Sequence, residues 1–219
     1  MPLSNITSKI NSLLPNYCYL ATGELSKYQN ELTSIESKYF NDYSPPRQIE
    51  FRAGRSIAKE AAKFLGINEL SISKDSGGCP VWPAPIVGSI SHKGNFCGAL
   101  LGYRKNYSSI GLDIERAECL QEDVWKTFAF PHEIEQANPS NIEESEFANL
   151  IFSAKEAFFK CLYPLYFPDN PSLAEIIVIT KLIDPEFLKT KITFDNKEFH
   201  GGIVFGSKIL ISWATAKEI

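Results

Sequence analysis

Gly111-Leu112-Asp113-Ile114-Glu115 and, further along the chain, Phe152-Ser153-Ala154-Lys155-Glu156-Ala157-Phe158-Phe159-Lys160 are the segments from which the rest of the sequence is read. The first places carboxylates at alternate positions of an apolar run, so on a strand Asp113 and Glu115 project together while Ile114 packs behind them. The second spaces Glu156 and Lys160 by about one helical turn, and Phe152 and Tyr163 fall on much the same side. Charges at Lys155, Glu156 and Lys160 in so apolar a helix are costly unless paired, and the simplest partners are a metal and a phosphate. Two hard oxygen ligands facing one volume suit magnesium, which takes one or two carboxylates with waters and substrate phosphate. Plainer readings are a solvent-facing strand end and a surface ion pair worth about 0.3–0.5 kcal/mol.

Upstream, Ile86 to Ile90, Phe96 to Tyr103 and Ser109 to Ile114 read as successive strands with polar turns at His92 to Asn95 and Arg104 to Tyr107, which implies an antiparallel sheet. Before them Ser44 and Pro45 signal a helix start. Ile49, Ala53, Ile57, Ala61 and Phe64 then recur at three or four residues, predicting one long amphipathic helix ending at Gly66. Arg52, Arg55, Lys59 and Lys63 share a face of it, which a charge run more often leaves to solvent. Lys74 to Pro85 is rich in Gly and Pro and reads as a loop. Downstream, Arg116 to Pro139 is a mixed segment in which Trp125, Phe128, Phe130 and Ile134 stand among charges. A second long helix is expected from about Glu143 to Tyr163, with Pro164, Pro168 and Pro171 breaking the chain after it, then strands at Ile176 to Thr180, Thr190 to Phe194 and Ile209 to Ala214. The expectation is an α+β fold of two pseudo-symmetric subdomains, residues 1–112 and 113–219. Each is a small, mainly antiparallel sheet packed on a long helix, and the two form one compact unit with the active site at the seam.

At 219 residues, with 44% hydrophobic and 12% aromatic residues, the chain can bury one large core or two small ones. No apolar run approaches the roughly 20 residues of a membrane span, and Met1 to Asn11 is too polar for a signal peptide, so a cytoplasmic protein without a membrane partner is expected. The 5 cysteines include no Cys-x-x-Cys pair, which argues against a disulfide framework or a structural zinc. Lys and Arg total 22 against 26 Asp and Glu, a net charge of −4, so nucleic acid is an improbable partner. An anionic ligand then needs a local cluster, and Arg47, Arg52, Arg55, Lys59 and Lys63 offer one. Ser89, Ser91 and His92 close a strand where they could meet an anion, while His132 and His200 read as ordinary turn residues.

Arg47 with Phe51-Arg52-Ala53-Gly54-Arg55, Trp82-Pro83 leading to Gly88-Ser89-Ile90-Ser91-His92, and the two opening segments follow one another in an order that resembles the 4′-phosphopantetheinyl transferases. The likeness is to the single-chain type that includes surfactin synthetase activators and enterobactin synthetase component D proteins, and it spans most of the chain. It implies transfer of the phosphopantetheine arm of coenzyme A to a serine of an apo acyl or peptidyl carrier protein, releasing adenosine 3′,5′-bisphosphate, in secondary metabolite or siderophore biosynthesis. It also implies Mg²⁺ at Asp113, Glu115 and Glu156. Coenzyme A would be gripped by Arg47, Arg55, Lys74, Ser91 and His92 with Asp113 beside them, and Lys155 and Lys160 would contact its pyrophosphate. Glu156 suits the base, directly or through a metal-bound water, and Lys160 suits stabilisation of the leaving phosphate. Phe152 stands where the family frequently has Trp, and neither residue does chemistry.

An active monomer follows from the same resemblance, one chain holding both halves that shorter homotrimeric relatives bring from separate subunits. Carrier docking is expected on a local patch, with Trp125, Phe128, Phe130 and Ile134 as candidates and core filling as the competing reading. Two other functions draw on these residues: a magnesium-dependent nucleotide phosphohydrolase, and a degenerate module that binds a carrier or nucleotide without catalysis. The second predicts losses among Asp113, Glu115, Glu156 and Lys160, and none is lost.

Overall fold

Ser44 keeps an extended backbone and Pro45 follows at the first helical position, where a missing N–H has no intrahelical partner to lose, so the first long helix begins where the sequence places it. It ends in a Schellman turn. Gly66 takes φ +77°, its N–H bonds the Lys63 carbonyl, and the Ile67 N–H reaches back to the Ala62 carbonyl.

The computed structural model describes residues 1–135 and 142–217. Along them run α1 (Leu3–Leu13), β1 (Cys18–Glu24), α2 (Ser34–Phe40), α3 (Pro45–Phe64), β2 (Ser73–Lys74), β3 (Pro80–Val81), β4 (Ile86–Lys93), β5 (Phe96–Tyr103), β6 (Tyr107–Arg116), α4 (Glu122–Trp125), α5 (Pro131–Glu135), α6 (Glu144–Tyr166), β7 (Ile179–Asp184), β8 (Phe187–Phe194), β9 (Lys197–Phe205) and β10 (Ile209–Lys217). The strands form a sheet ordered β1-β5-β4, a larger sheet ordered β6-β10-β9-β8-β7, and the small β2-β3 pair, all antiparallel. α3 packs on β5 and β1, and α6 packs on β6 and β10, so each half of this α+β chain sets a long helix on an antiparallel sheet.

β4 and β6 are edge strands of their sheets and lie against each other. They run in the same direction, since β5 reverses β4 and the turn after Tyr103 reverses β5. The expected division at 112/113 falls inside β6, which pairs with β10 from Tyr107 to Arg116 and belongs wholly to the second sheet.

Three apolar cores hold this plan together. Ala53, Ile57 and Ala61 of α3 pack against Ala99 and Leu101, while Phe147, Ile151 and Phe158 of α6 pack against Leu188, Ile203 and Leu210. The remaining core crosses the seam, joining Leu112 and Ile114 to Leu20 and Leu100 of the first sheet and to Ile211 and Trp213 of the second. Ile6 and Ile10 of α1 are fully buried in it, so a segment that read only as polar ties both sheets.

α2 was also missed, although Thr33 and Glu36 spell a capping box in which each side chain bonds the other's N–H. Glu36 is fully buried and also accepts from Lys59 Nζ at 2.7 Å and from the Ile72 N–H at 3.2 Å. The Phe40 ring lies 4.6 Å from the Arg52 guanidinium. The cationic face of α3 is therefore not a solvated stripe, because α2 engages two of its members and Arg55 is buried. The apolar stripe is also narrower than its spacing suggests, since Ile49 and Phe64 at its ends are exposed.

In the second half α6 continues through Pro164 to Tyr166, the proline taking a place in the last turn. β7 begins at Ile179, later than expected, and β9 was not expected at all. Its Gly201 and Gly202 hide the strand pattern, and they are required because Trp213 of β10 leaves no room there for a Cβ. Asp195 and Asn196, both at positive φ, make the two-residue turn that joins β8 to β9. The mixed segment 116–139 holds α4 and α5, and its residues 136–139 lie outside the described residues.

β6 meets α6 backbone to backbone. A Cβ on Gly111 would collide with the Ala157 carbonyl oxygen and come within 2.8 Å of the Cys161 nitrogen, so only glycine allows the approach. That closeness brings Asp113 and Glu115, farther along β6, within reach of α6 side chains. Gly111→Ala is expected to lower stability by at least about 2 kcal/mol, because the colliding atoms are backbone and cannot turn aside. The urea-unfolding midpoint measures this, and an unchanged midpoint would mean that α6 shifts freely.

Candidate active site

Ile110, Leu112 and Ile114 enter the seam core, which turns Asp113 and Glu115 toward α6. Asp113, only 4% exposed, accepts at Oδ1 from Lys160 Nζ at 2.7 Å and Ser91 Oγ at 3.1 Å, and at Oδ2 from Ser153 Oγ at 2.9 Å. Ser91 Oγ itself accepts from the Ile114 N–H and from Lys160, both at 3.3 Å. Two residues on along both strands the contact repeats, with Lys93 Nζ 2.6 Å from Glu115 Oε2. Ser153, Glu156 and Lys160 recur at three and four residues and share one face of α6.

Burial pushes the Glu156 carboxyl above the usual carboxylate range; Lys160 opposes the shift, while Asp113 and Glu115 add to it. Burial likewise raises Glu115, against the pull of Lys93 and with the help of Asp113. These carboxylates are close enough to raise one another's proton affinity, an arrangement that a divalent cation relieves. Among the described residues no three His, Cys, Asp or Glu side chains are placed to hold a metal ion by themselves. Magnesium does not require three, since one or two carboxylates suffice when water and phosphate complete its shell, and the donor set fits that mode. Asp113 keeps an unused lone pair on Oδ2, and among the described residues Glu156 has no hydrogen bond or ion pair within contact distance.

The other face of β4 builds a cationic cavity of about 110 Å³, where Ile90 and His92 stand with Tyr43, Arg47, Glu50, Arg55, Gly78 and Pro80. Arg47 Nη1 lies 2.8 Å from His92 Nε2 and 3.0 Å from Glu50 Oε2. Arginine only donates, so His92 Nε2 is the acceptor and the ring carries its proton on Nδ1. Burial lowers the His92 pKa, with Glu50 opposing and Arg47 reinforcing, which agrees with a neutral ring. Arg55 is 6% exposed and lies 4.5 Å over the Phe51 ring. Among the described residues its Nε has no hydrogen-bond partner, and burial lowers its pKa to about 10. Beside the cavity, Lys74 Nζ donates to Tyr43 Oη at 3.0 Å and sits over the Tyr39 and Tyr43 rings. A buried guanidinium with an unused N–H, two further cations and aromatic walls suit a phosphorylated group bearing a flat ring.

Of the residues chosen from the sequence, Ser91, Asp113, Glu115, Glu156 and Lys160 meet at the seam, and Arg47, Arg55, Lys74 and His92 gather about the cavity. Lys155 joins neither group. It is fully buried, donating to Glu133 Oε2 at 2.8 Å and to the Phe128 carbonyl at 2.5 Å. One residue before Glu156, it points about 100° away around the helix. Glu133 is fixed in turn by the N–H groups of Phe130 and Val178. The partner that the sequence reading gave this lysine, a phosphate, is replaced by a buried carboxylate. Trp125, Phe128 and Ile134 fill the core around α6, and only Phe130 of the four docking candidates is exposed. Ser153, Glu50 and Lys93 had no role in the sequence reading. Ser153 and Glu50 were legible, lying about one helical turn from Glu156 and Arg47, whereas Lys93 sat in what read as a polar turn.

Comparison with known proteins adds a family to this geometry. A model described as the 4'-phosphopantetheinyl transferase N-terminal domain matches residues 36–102, and one described as the 4'-phosphopantetheinyl transferase superfamily matches residues 109–199. The chain is 29% identical over 158 residues to the 4'-phosphopantetheinyl transferase Npt of Nocardia iowensis, spanning 71% of this chain and 70% of Npt. It is 36% identical over 122 residues to enterobactin synthase component D of Escherichia coli (strain K12), spanning 52% of this chain and 54% of that protein. Against the holo-[acyl-carrier-protein] synthase of Exiguobacterium sibiricum it is 31% identical over 98 residues, 39% of this chain and 77% of the synthase.

Lys155→Met would leave Glu133 charged and buried beside an apolar side chain. A loss of about 3–5 kcal/mol in unfolding free energy is expected, read by denaturant titration. A variant as stable as the parent but weaker in binding an anionic nucleotide would return the lysine to the ligand.

Proposed function

Because the chain belongs to the 4′-phosphopantetheinyl transferase superfamily, it is an enzyme of that class, and we propose that it moves the 4′-phosphopantetheine arm of coenzyme A onto a serine of an apo acyl or peptidyl carrier protein. Adenosine 3′,5′-bisphosphate is the other product. The observation that carries this reading is the single strand β4, whose Ser91 faces a carboxylate and lysine cluster while the adjacent His92 faces a cationic cavity. A molecule with a phosphorylated nucleotide at one end and a pyrophosphate next to it suits both faces.

In the proposed reaction the serine oxygen attacks the β-phosphorus, a new P–O bond forms, and the bond from that phosphorus to the bridging oxygen of the pyrophosphate breaks. Glu156 takes the serine proton. Burial and the neighbouring carboxylates raise its pKa in the metal-free protein; where it also helps to hold a cation that gain falls, and the proton would reach it through a water. Lys160 stays beside Asp113 and offers its ammonium to the leaving phosphate. Arg47, Arg55, Lys74 and His92 hold the nucleotide end, with the unpaired Arg55 Nε as a donor for a phosphate oxygen. Asp113, Glu115 and Glu156 would hold magnesium, which when bound supplies positive charge to the pyrophosphate oxygens.

A phosphohydrolase would need only the cluster and a water, and a non-catalytic module would need only the cavity; membership of a transferase family that covers both halves favours the carrier reading. The likeness to enterobactin synthase component D supports a carrier of siderophore or other secondary metabolite assembly. The same reading takes the enzyme as a cytoplasmic monomer. Its support is that the cysteines are all free, no described helix is long and apolar enough to cross a membrane, and one chain provides both faces of the site.

Incubation of apo carrier protein with coenzyme A, Mg²⁺ and the enzyme, followed by intact mass, should show the carrier gaining one phosphopantetheine arm. Glu156→Gln is expected to slow that transfer by about two to four orders of magnitude. Its stability should match or exceed the parent's, because burial disfavours the ionised carboxylate that the amide replaces. Near-normal turnover would remove Glu156 from the base role, and consumption of coenzyme A without a mass gain on the carrier would overturn the transferase reading.

A further inference from the structure

β4 ends in a lysine for which the proposed reaction has no use. Lys93 lies two residues beyond Ser91 on the same face of the strand, and its Nζ is 2.6 Å from Glu115 Oε2. Lys160 stands in the same relation to Asp113 at 2.7 Å. Each β6 carboxylate therefore already has a cation against it, supplied from a different element.

The two lysines differ in how firmly they are held. Lys160 projects from the middle of α6 and donates to Ser91 as well as to Asp113. Lys93 opens the turn at Gly94, which has φ +56° and packs against the Arg116 guanidinium, and among the described residues Glu115 is its one polar partner. The Lys93 side chain is 45% exposed while that of Glu115 is 13% exposed. A four-carbon chain rooted at such a turn can swing its ammonium into water, whereas the carboxylate has to stay where β6 puts it.

We infer that Lys93 is a displaceable counter-ion of Glu115, which neutralises this carboxylate in the metal-free protein and has to withdraw when a divalent cation binds, so that it sets metal affinity without touching the reacting atoms. The inference rests on the proposed assignment of Glu115 as a magnesium ligand. A divalent cation sharing Glu115 with an ammonium would face a like charge across one carboxylate, and the displacement of Lys93 is the lower-energy course. Held in this way, Glu115 does not require a metal to remain in the fold. The metal then binds less tightly than the carboxylates alone would allow.

The test is calorimetric titration of the full chain with Mg²⁺, and separately with Mn²⁺, at saturating coenzyme A. Lys93→Met keeps the side-chain length and removes the charge. It is expected to tighten the metal Kd by about three- to tenfold and to enlarge the rise in Tm that saturating metal produces, because the metal-free variant lacks its counter-ion. Lys93→Arg should behave like the parent. In a Glu115→Gln background the Lys93→Met change should lose its effect, which a merely structural lysine would not do. An unchanged or weaker Kd in Lys93→Met, or an equal gain with and without Glu115, would overturn the inference. Carrier modification followed by mass in the same samples separates the two failures. Transfer with an unmoved Kd defeats only the role of Lys93, while absence of both transfer and metal binding defeats the functional reading beneath it.

Discussion

One buried carboxylate joins three elements of this protein. Asp113 belongs to β6, and its oxygens accept from Ser91 on β4, from Ser153 on α6 and from Lys160 one further stretch along the same helix. β4 and β6 are the edges of two separate sheets and share no backbone ladder, so the junction depends on side chains and on the apolar core beneath them. A carboxylate nearly sealed from water needs every one of these donors, and their convergence fixes the edges and the helix in one register. Most of the other polar groups at the seam can be placed relative to it.

Alternation along β4 then distributes the work. Ser91 and Lys93 face the β6 carboxylates while Ile90 and His92 face the cavity under α3, so one strand forms a wall common to two environments of opposite charge. The cluster side is rich in carboxylates whose proton affinities rise together. On the cavity side, Arg55 is left with an unpaired N–H. On the proposed reading, a ligand bridging the strand would meet cations at its nucleotide end and carboxylates with lysines at its reactive end, and a carrier's serine would have only the second to reach.

What the sequence made legible follows from periodicity. Asp113 with Glu115, and Glu156 with Lys160, advertise shared faces through spacings of two and four, and α3 announces itself by a proline start and a glycine stop. What it concealed depends on partners far along the chain. Lys155 reads like its neighbours until α5 brings Glu133 to it, and the cations of α3 read as solvated until α2 covers them. The spacing of Ile6 and Ile10 was visible, yet nothing local says that they close a seam between two sheets whose facing edge strands, β4 and β6, come much later in the chain. β9 was masked by the glycines that Trp213 requires, a constraint that lives on another strand.

The contact at Gly111 has a mechanical side. Elsewhere α6 and its sheet are separated by a layer of side chains whose rotamers can absorb small changes in packing, but at Gly111 the helix backbone rests directly on the strand backbone with no such cushion. Asp113 lies two residues from this fulcrum, and Glu156 and Lys160 come one residue before Ala157 and Cys161, the helix residues whose backbone meets it. A tilt of α6 imposed from the remote core, at Phe147 for example, therefore pivots about this point, and displacement is smallest at Glu156 and Lys160, the neighbours of the two helix residues that make the contact. The close approach thus insulates the reactive face of the helix from repacking in the interior of the second half.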